Sequence, residues 1–364
     1  GGVGRNLANL ICDLHENRTA YMHNIPTLKS VLYFTIILYF FTGTFHISAE
    51  DFMPDDMKRI QDFLVERNWH SPRTMMMGDD NTLVIHPVEK RPESDLYSYY
   101  KDSLLQVPDR PLGQPPIRVF ERRLAGITLV RSMRDIGSGP DSVRHSRTVI
   151  HCPERACAVF DEAIPSASGM YLSGPVWHWN AEAEKIRNAT GTTVGIKVAD
   201  FAMFTVGRDD LMQPEVFRET DPGAKEAKSH VFFMNVQDMS LGESYQSACV
   251  FLPVQRAGNF EVEPLRMENR LTGLAFLDGE NALFFGSGHE GEETEYGPFR
   301  MDAACFFAGT VRQTVYIHFV QAKAISVLSD TMVREVRLDG SVLPLDRWKL
   351  HNGRVEIAWE LPRS

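Results

Sequence analysis

The residues most able to do chemistry crowd into one stretch. Arg144-His145-Ser146-Arg147-Thr148-Val149-Ile150-His151 places two guanidinium and two imidazole groups on one extended run. After a turn at Pro153, Val159-Phe160-Asp161-Glu162 closes a second run with two carboxylates. Side chains alternate along a strand, so His145 and Arg147 share one face while Arg144 points away. With Tyr171 they supply the types that an elimination beside a carboxylate needs: a cation for the enolate, a base for the proton and an acid for the departing oxygen. His145, Arg147 and Tyr171 are therefore the candidate catalytic set. The plainer use of the same residues is pairing of His145 and Arg147 with Asp161, Glu162 or another surface carboxylate, as ordinary charges of an edge strand.

Other groups suit binding better than reaction. In Pro175-Val176-Trp177-His178-Trp179-Asn180 the two indoles share one strand face and His178 takes the other. Paired indoles can form a platform for the C–H side of a sugar ring, which makes Trp177, His178 and Trp179 the candidate carbohydrate-binding residues. The same pair would serve as the interior of a sandwich. Gly286-Ser287-Gly288-His289-Glu290-Gly291-Glu292-Glu293-Thr294-Glu295-Tyr296 carries four glutamates on a glycine-rich loop. Carboxylates of that kind can hold calcium, but the spacing matches no calcium loop, and neither a metal nor a cofactor is assigned. Cys152-Pro-Glu-Arg-Ala-Cys157 lacks a second Cys or His pair at zinc spacing. Asn188-Ala189-Thr190 fits the glycan acceptor pattern.

The elements that must carry these residues read as strands. Past Ile117, short β-branched and aromatic runs recur between Gly, Asp and Pro, from Ile117–Phe120 through Thr148–His151, Ala156–Phe160, Ser247–Leu252 and Ala303–Phe307 to Val355–Trp359. Asp278-Gly279, Asp339-Gly340 and Asn352-Gly353 are hairpin-turn pairs, each between two such runs. The expected fold is mostly β, an antiparallel β-sandwich over residues 117–364, ending in a strand meander over Val333–Trp359. Ahead of it, residues 50–116 hold one amphipathic helix, Pro54–Arg67, and an irregular proline-rich connection with a short apolar piece at Thr82–His86.

Residues 1–49 read as upstream sequence plus a signal peptide or anchor. Lys29-Ser30 precedes the uncharged apolar block Val31–Phe45, and Ala49 stands before Glu50-Asp51, the order of a cleavable leader. The block is short for a membrane span. Met22 stands where an initiator would, leaving Gly1–Tyr21 as upstream sequence or an extended start. On this reading the chain is secreted, periplasmic or on the cell surface, and touches a membrane only through an uncleaved leader. Of the five cysteines, Cys12 precedes the leader. Cys152, Cys157, Cys249 and Cys305 permit two disulfides in an oxidising compartment, or four buried thiols in a core that needs no stapling. The net charge of −10 among 364 residues excludes whole-molecule attraction to nucleic acid. No G-x-S-x-G elbow, H-E-x-x-H helix, P-loop or G-x-G-x-x-G after a strand is present.

The succession from Arg144-His145-Ser146-Arg147 through Asp161 to Trp177-His178-Trp179 resembles the C-terminal β-sandwich of heparinase II/III-like polysaccharide lyases. Arg270–Leu274, Asp278-Gly279, Leu283–Gly286 and Asp302–Ala304 are similar to that family's late strands, so the resemblance covers Ile117–Leu338. It implies a sandwich, not a reaction. The family's helical toroid has no room between the leader and Ile117, and its Asp-His-Gly-His-x-Asp-like segment has no counterpart here. Three functions follow as expectations. The first is an exported polysaccharide-binding protein of lyase-related architecture. The second is an active lyase on a uronate-containing polysaccharide using His145, Arg147 and Tyr171. The third is a non-catalytic structural or surface-assembly module.

Overall fold

The computed structural model describes residues 33–39, 81–89 and, between loop gaps, 117–358. None of the described residues is in an α-helix. The expected helix at Pro54–Arg67 and the glycan pattern at Asn188 lie outside the described residues. The strands, in chain order, begin with β1 (Tyr33–Tyr39), β2 (Asn81–Pro87), β3 (Ile117–Leu124), β4 (Ile127–Ile136), β5 (Val143–Cys152) and β6 (Ala156–Pro165). Then come β7 (Gly169–Trp179), β8 (Ala183–Arg187), β9 (Val194–Val198), β10 (Phe201–Gly207), β11 (Glu215–Glu219), β12 (Lys228–Phe232), β13 (Asn235–Met239) and β14 (Tyr245–Pro253). The last group is β15 (Phe260–Met267), β16 (Arg270–Asp278), β17 (Asn281–Ser287), β18 (Thr294–Tyr296), β19 (Phe299–Met301) and β20 (Cys305–Val311). It continues with β21 (Thr314–Val320), β22 (Ala324–Leu328), β23 (Met332–Leu338), β24 (Ser341–Val342), β25 (Trp348–His351) and β26 (Arg354–Ala358).

They form four sheets. Sheet I is β11-β12-β7-β13 with β2 on the far side of β7, and sheet II is β3-β4-β5-β6-β14-β10-β9-β8. Sheet III is β15-β16-β17-β20-β21-β1-β23-β24, and sheet IV is β18-β19-β22-β26-β25. The mostly β expectation holds, and the sandwich is deeper than two layers. Alternate residues show why. On β6, Ala156, Ala158 and Phe160 enter a core shared with Leu283, Phe285 and Phe307 of sheet III. The intervening Cys157 and Val159 enter another shared with Trp177, Val231 and Phe233, on or beside strands of sheet I. In sheet III, Phe284 and Phe306 turn from the central core to Phe299, Ile325 and Ile357 of sheet IV. The stack is therefore I–II–III–IV. Sheets II and III are covered on both faces, which is why runs such as Ala156–Phe160 and Cys305–Ala308 are apolar at every position rather than every second one.

All three hairpin-turn pairs close where expected, through the registers Asp278↔Asn281, Leu338↔Ser341 and His351↔Arg354. Asn352 and Gly353 both have positive φ, 50° and 71°, as a two-residue hairpin turn requires. The expected terminal meander is split: β23 and β24 belong to sheet III, β25 and β26 to sheet IV. The chain changes layer through the turn at Pro344–Arg347, where Arg347 N donates to Pro344 O. Gly174 on β7 has φ of 153°, and a Cβ there would lie 1.9 Å from the Phe233 carbonyl oxygen. Only glycine lets the β12–β13 crossover press so closely on β7.

Two strands come from sequence ahead of Ile117. β2, in the segment expected to be an irregular connection, pairs with β7 over Asn81↔Trp177 to Pro87↔Tyr171. β1, inside the apolar block expected to be a leader, runs parallel between β21 and β23. It is the shared neighbour of those two strands, so a chain cleaved after Ala49 would leave both with an open edge. Deletion of residues 1–49 is expected to lower the melting temperature and loosen the β23–β24 hairpin, read by thermal unfolding and amide exchange. An unchanged melt and unchanged protection of β21 and β23 would return the block to service as a leader.

Candidate functional site

The register of sheet II assembles the polar residues singled out in the sequence. Asp161 of β6 lies opposite Arg147 of β5, and Ser132 of β4 and Ser247 of β14 extend the same line. The next line is Arg134, His145, Ala163 and Tyr245. Arg147 grips the Asp161 carboxylate with both prongs, Nε to Oδ1 at 2.6 Å and Nη2 to Oδ2 at 3.0 Å. His145 Nε2 meets the same Oδ1 at 2.7 Å. Sequence reading allowed for His145 and Arg147 pairing with Asp161, but on a surface edge strand. The pairing is present on two adjoining inner strands, with His145, Arg147 and Asp161 only 0%, 1% and 3% exposed.

Burial governs the protonation of this cluster. Burial alone pushes Asp161 up, but the Arg147 guanidinium and the His145 contact outweigh it and hold the carboxyl well below its usual range. His145 is lowered, first by burial and then by the charges of Arg147 and Arg134, against the raising influence of Asp161. A neutral imidazole therefore donates Nε2–H to Asp161, and its buried Nδ1 has no partner among the described residues. Arg147 also packs its Cζ 5.5 Å from the Trp177 ring centroid, a cation–π contact inside the protein.

The indole pair lies in the same interlayer. Trp177 and Trp179 stack at 6.4 Å with 16° between planes, and Phe251 meets Trp177 edge-on at 5.0 Å. Trp177 is 0% and Trp179 7% exposed, so the face they share is core between sheets I and II and not an open platform. His178 lies between them on β7, in register with His230 of β12. Tyr171 is buried in the adjoining cluster with Val143, Ala163 and Tyr245, and its hydroxyl donates to Ala167 O at 2.8 Å. The fold thus brings His145, Arg147 and Trp177 together and sets Tyr171 close by. In this arrangement a saccharide reaches none of them.

Arg131 is the residue that sequence reading passed over. It crosses from sheet II to sheet III, Nε donating to Thr148 Oγ1 at 2.8 Å and Nη2 to both Ser287 Oγ and Ala304 O at 2.8 Å. The available signal is its phase: Arg131 falls in step with the buried Ile127 and Leu129 on β4. In the acidic loop, Glu292 is taken by Arg270 and Glu293 by Arg300. Two of the four glutamates therefore answer arginines.

Cys152, Cys157, Cys249 and Cys305 are buried free thiols. Cys152 faces the central core and its near neighbour Cys157 faces sheet I. Burial pushes Cys157, Cys249 and Cys305 up to about 12, far from the thiolate that reacts. Iodoacetamide is expected to leave all four untouched in the native protein and to alkylate all four in denaturant, read by peptide mass spectrometry.

Comparison with known proteins adds a faint likeness. No family model matches the chain, and no curated protein matches it. Among solved structures, a heparinase III is 12% identical over 46% of this chain and 26% of its own, with a TM-score of 0.31. A heparan sulfate lyase from Pedobacter heparinus is 13% identical over 45% of this chain and 26% of its own, again at 0.31. A 4-alpha-glucanotransferase from Thermococcus litoralis is 10% identical, covering 48% of this chain and 27% of its own, at 0.26. The chain spans about a quarter of the length of each.

Proposed function

We propose that this chain is a polysaccharide-binding β module without catalysis of its own. The supporting observation is a contrast between two places in the stack. The acid–base candidates His145, Arg147 and Tyr171 are sealed between sheets I and II. An open groove of about 720 Å³ instead crosses the outermost sheet, IV, with a hydroxyl, an indole and charged side chains along it. Sugars are bound by that mixture of donors, acceptors and aromatic surface. The residue order from Arg144 to Trp179, similar to that of a lyase sandwich, agrees with the reading. Affinity electrophoresis of the full chain through a panel of polysaccharide gels should show retardation in at least one, and free mobility in all of them would sink the proposal. The same panel assayed for the unsaturated uronate chromophore is expected to stay silent, and a steady absorbance rise would restore the lyase.

One observation favours assembly as a second reading. β3 is an edge strand of sheet II, and its Ile117 and Val119 are 69% and 51% exposed. Exposed apolar side chains on a strand that has one neighbour among the described residues can meet another chain, although Arg118, Arg122 and Arg123 share that edge. Concentration-dependent association that Val119→Lys abolishes, with no saccharide retained, is the result that would favour it.

A further inference from the structure

Sheet III is antiparallel throughout except at β1, which runs parallel to both of its neighbours. After β21 the chain crosses to sheet IV as β22, and β23 returns to sheet III with β1 between it and β21. The strands on either side of β1 thus come from one stretch, Phe260–Val342, while β1 enters from the other end of the sequence. Its partners, Thr314–His318 and Met332–Leu338, are more distant along the chain than those of any other described strand. No hairpin turn ties β1 to either neighbour. The next described strand, β2, belongs to sheet I, with sheet II in between.

Without β1, β21 and β23 would flank a slot one strand wide, about 10 Å across. Its walls are apolar: Val315 and Ile317 of β21 and Val333 and Val336 of β23 are buried in the core shared with sheet IV. A strand that fits is uncharged, as Tyr33–Tyr39 is. Ile36 stands in register with both Val315 and Val336. The β1 of any copy meets these requirements equally. Pairing across so long a stretch of chain closes late in folding. Until it closes, two rows of unpaired backbone groups form a template for another chain.

We propose that the slot between β21 and β23 is a strand-acceptor site through which copies of this chain link, β1 of one copy filling the slot of the next. Within one copy, the connection from β1 to β2 gives the strand a finite effective concentration, so exchange rises with protein concentration during folding. A strand passed one way makes an open chain of copies, and a reciprocal exchange makes a closed pair. The linkage requires neither saccharide binding nor the β3 edge.

The test refolds two full-length variants together, Thr35→Cys and Thr314→Cys, each also carrying Cys12→Ser, and then adds a short thiol crosslinker. Positions 35 and 314 are register partners, so a bridge between the two variants requires β1 of one copy beside β21 of another. The four cysteines of the sandwich are buried. The 35–314 bridge, identified by peptide mass spectrometry, should be at least tenfold more abundant after concentrated than after dilute refolding. Val119→Lys should leave that yield unchanged, and loss of the bridge in this variant would assign the association to β3 and overturn the slot. Both substitutions in one chain should give an internal bridge after dilute refolding. Bridging confined to that double variant at every concentration overturns the exchange, and no bridge even there overturns the acceptor site. A measurement on the unsubstituted chain keeps the test independent of variant folding. A biotinylated peptide of residues 30–41, present during refolding, should be retained by the protein, and a scrambled peptide should be lost. Equal retention of both peptides, or of neither, also overturns the proposal.

Discussion

Asp161→Ala is expected to destabilise the protein by about 3–5 kcal/mol, because it leaves the Arg147 charge buried and uncompensated. The carboxylate is the single acceptor that both Arg147 and His145 use. Its removal opens several buried donors at once, each losing its partner where water does not reach. Asp161→Asn keeps the shape and loses the charge, so it should fall between wild type and alanine. Replacing the pair together, Arg147→Leu with Asp161→Ala, should cost less than Asp161→Ala alone, since no orphaned ion remains. Urea unfolding of the three variants at neutral pH checks the order. A single Asp161→Ala as stable as wild type, or a double variant weaker than the single, would show that the ion pair does not hold sheet II as described. Trp177 should answer in the same experiment, because Arg147 packs on its ring.

Acid should weaken this protein well before ordinary carboxylates titrate. Burial lowers His318 to about 3 and His151 to about 4, and it lowers His145 as well. An unfolded imidazole takes up its proton near pH ~6.5, whereas these stay neutral in the fold. Between those values the unfolded chain binds more protons than the native one, so stability falls as pH falls. At pH 5 the expected loss is about 2 kcal/mol for each of His151 and His318 relative to neutral pH. Asp161 has the opposite charge type and the same consequence. Its contribution is present above the unfolded carboxyl value and is lost as pH drops below it. The urea midpoint should therefore decline from pH 7 through 5 with an unchanged slope against denaturant, and below 4 Asp161 should carry the decline onward as His151 and His318 finish titrating. His318 lies 6.0 Å from the Phe307 ring between the inner sheets, so His318→Phe should flatten the decline. A midpoint independent of pH from 7 to 5 would contradict the buried neutral imidazoles.

Local sequence carried the strands and turns. β-branched and aromatic runs between Gly, Asp and Pro marked most of sheets II and III. The pairs Asp278-Gly279, Asp339-Gly340 and Asn352-Gly353 marked hairpins because positive φ is cheap only for a few residue types. The association of His145 and Arg147 with a carboxylate of the next strand was legible too, since strand alternation places both on one face. The depth of that face was not. A charged residue on a central strand and one on an edge strand look alike in a one-dimensional pattern.

The apolar block Val31–Phe45 shows the same limit from the other side. Aromatic and β-branched residues without charge satisfy a leader's apolar region and a sheet strand equally well. The parallel register of Thr35 with Thr314 and Glu335 belongs to long-range pairing that no window of sequence contains.

By itself, then, the sequence determined the β class, the hairpin turns, the shared strand face of His145 and Arg147 and the absence of several catalytic signatures, since each depends on neighbours within a few positions. Tertiary structure alone decided that four layers stack rather than two and that Trp177 and Trp179 face inward. Those outcomes depend on which sheet covers which, and burial is a property of contacts between residues far apart in the chain.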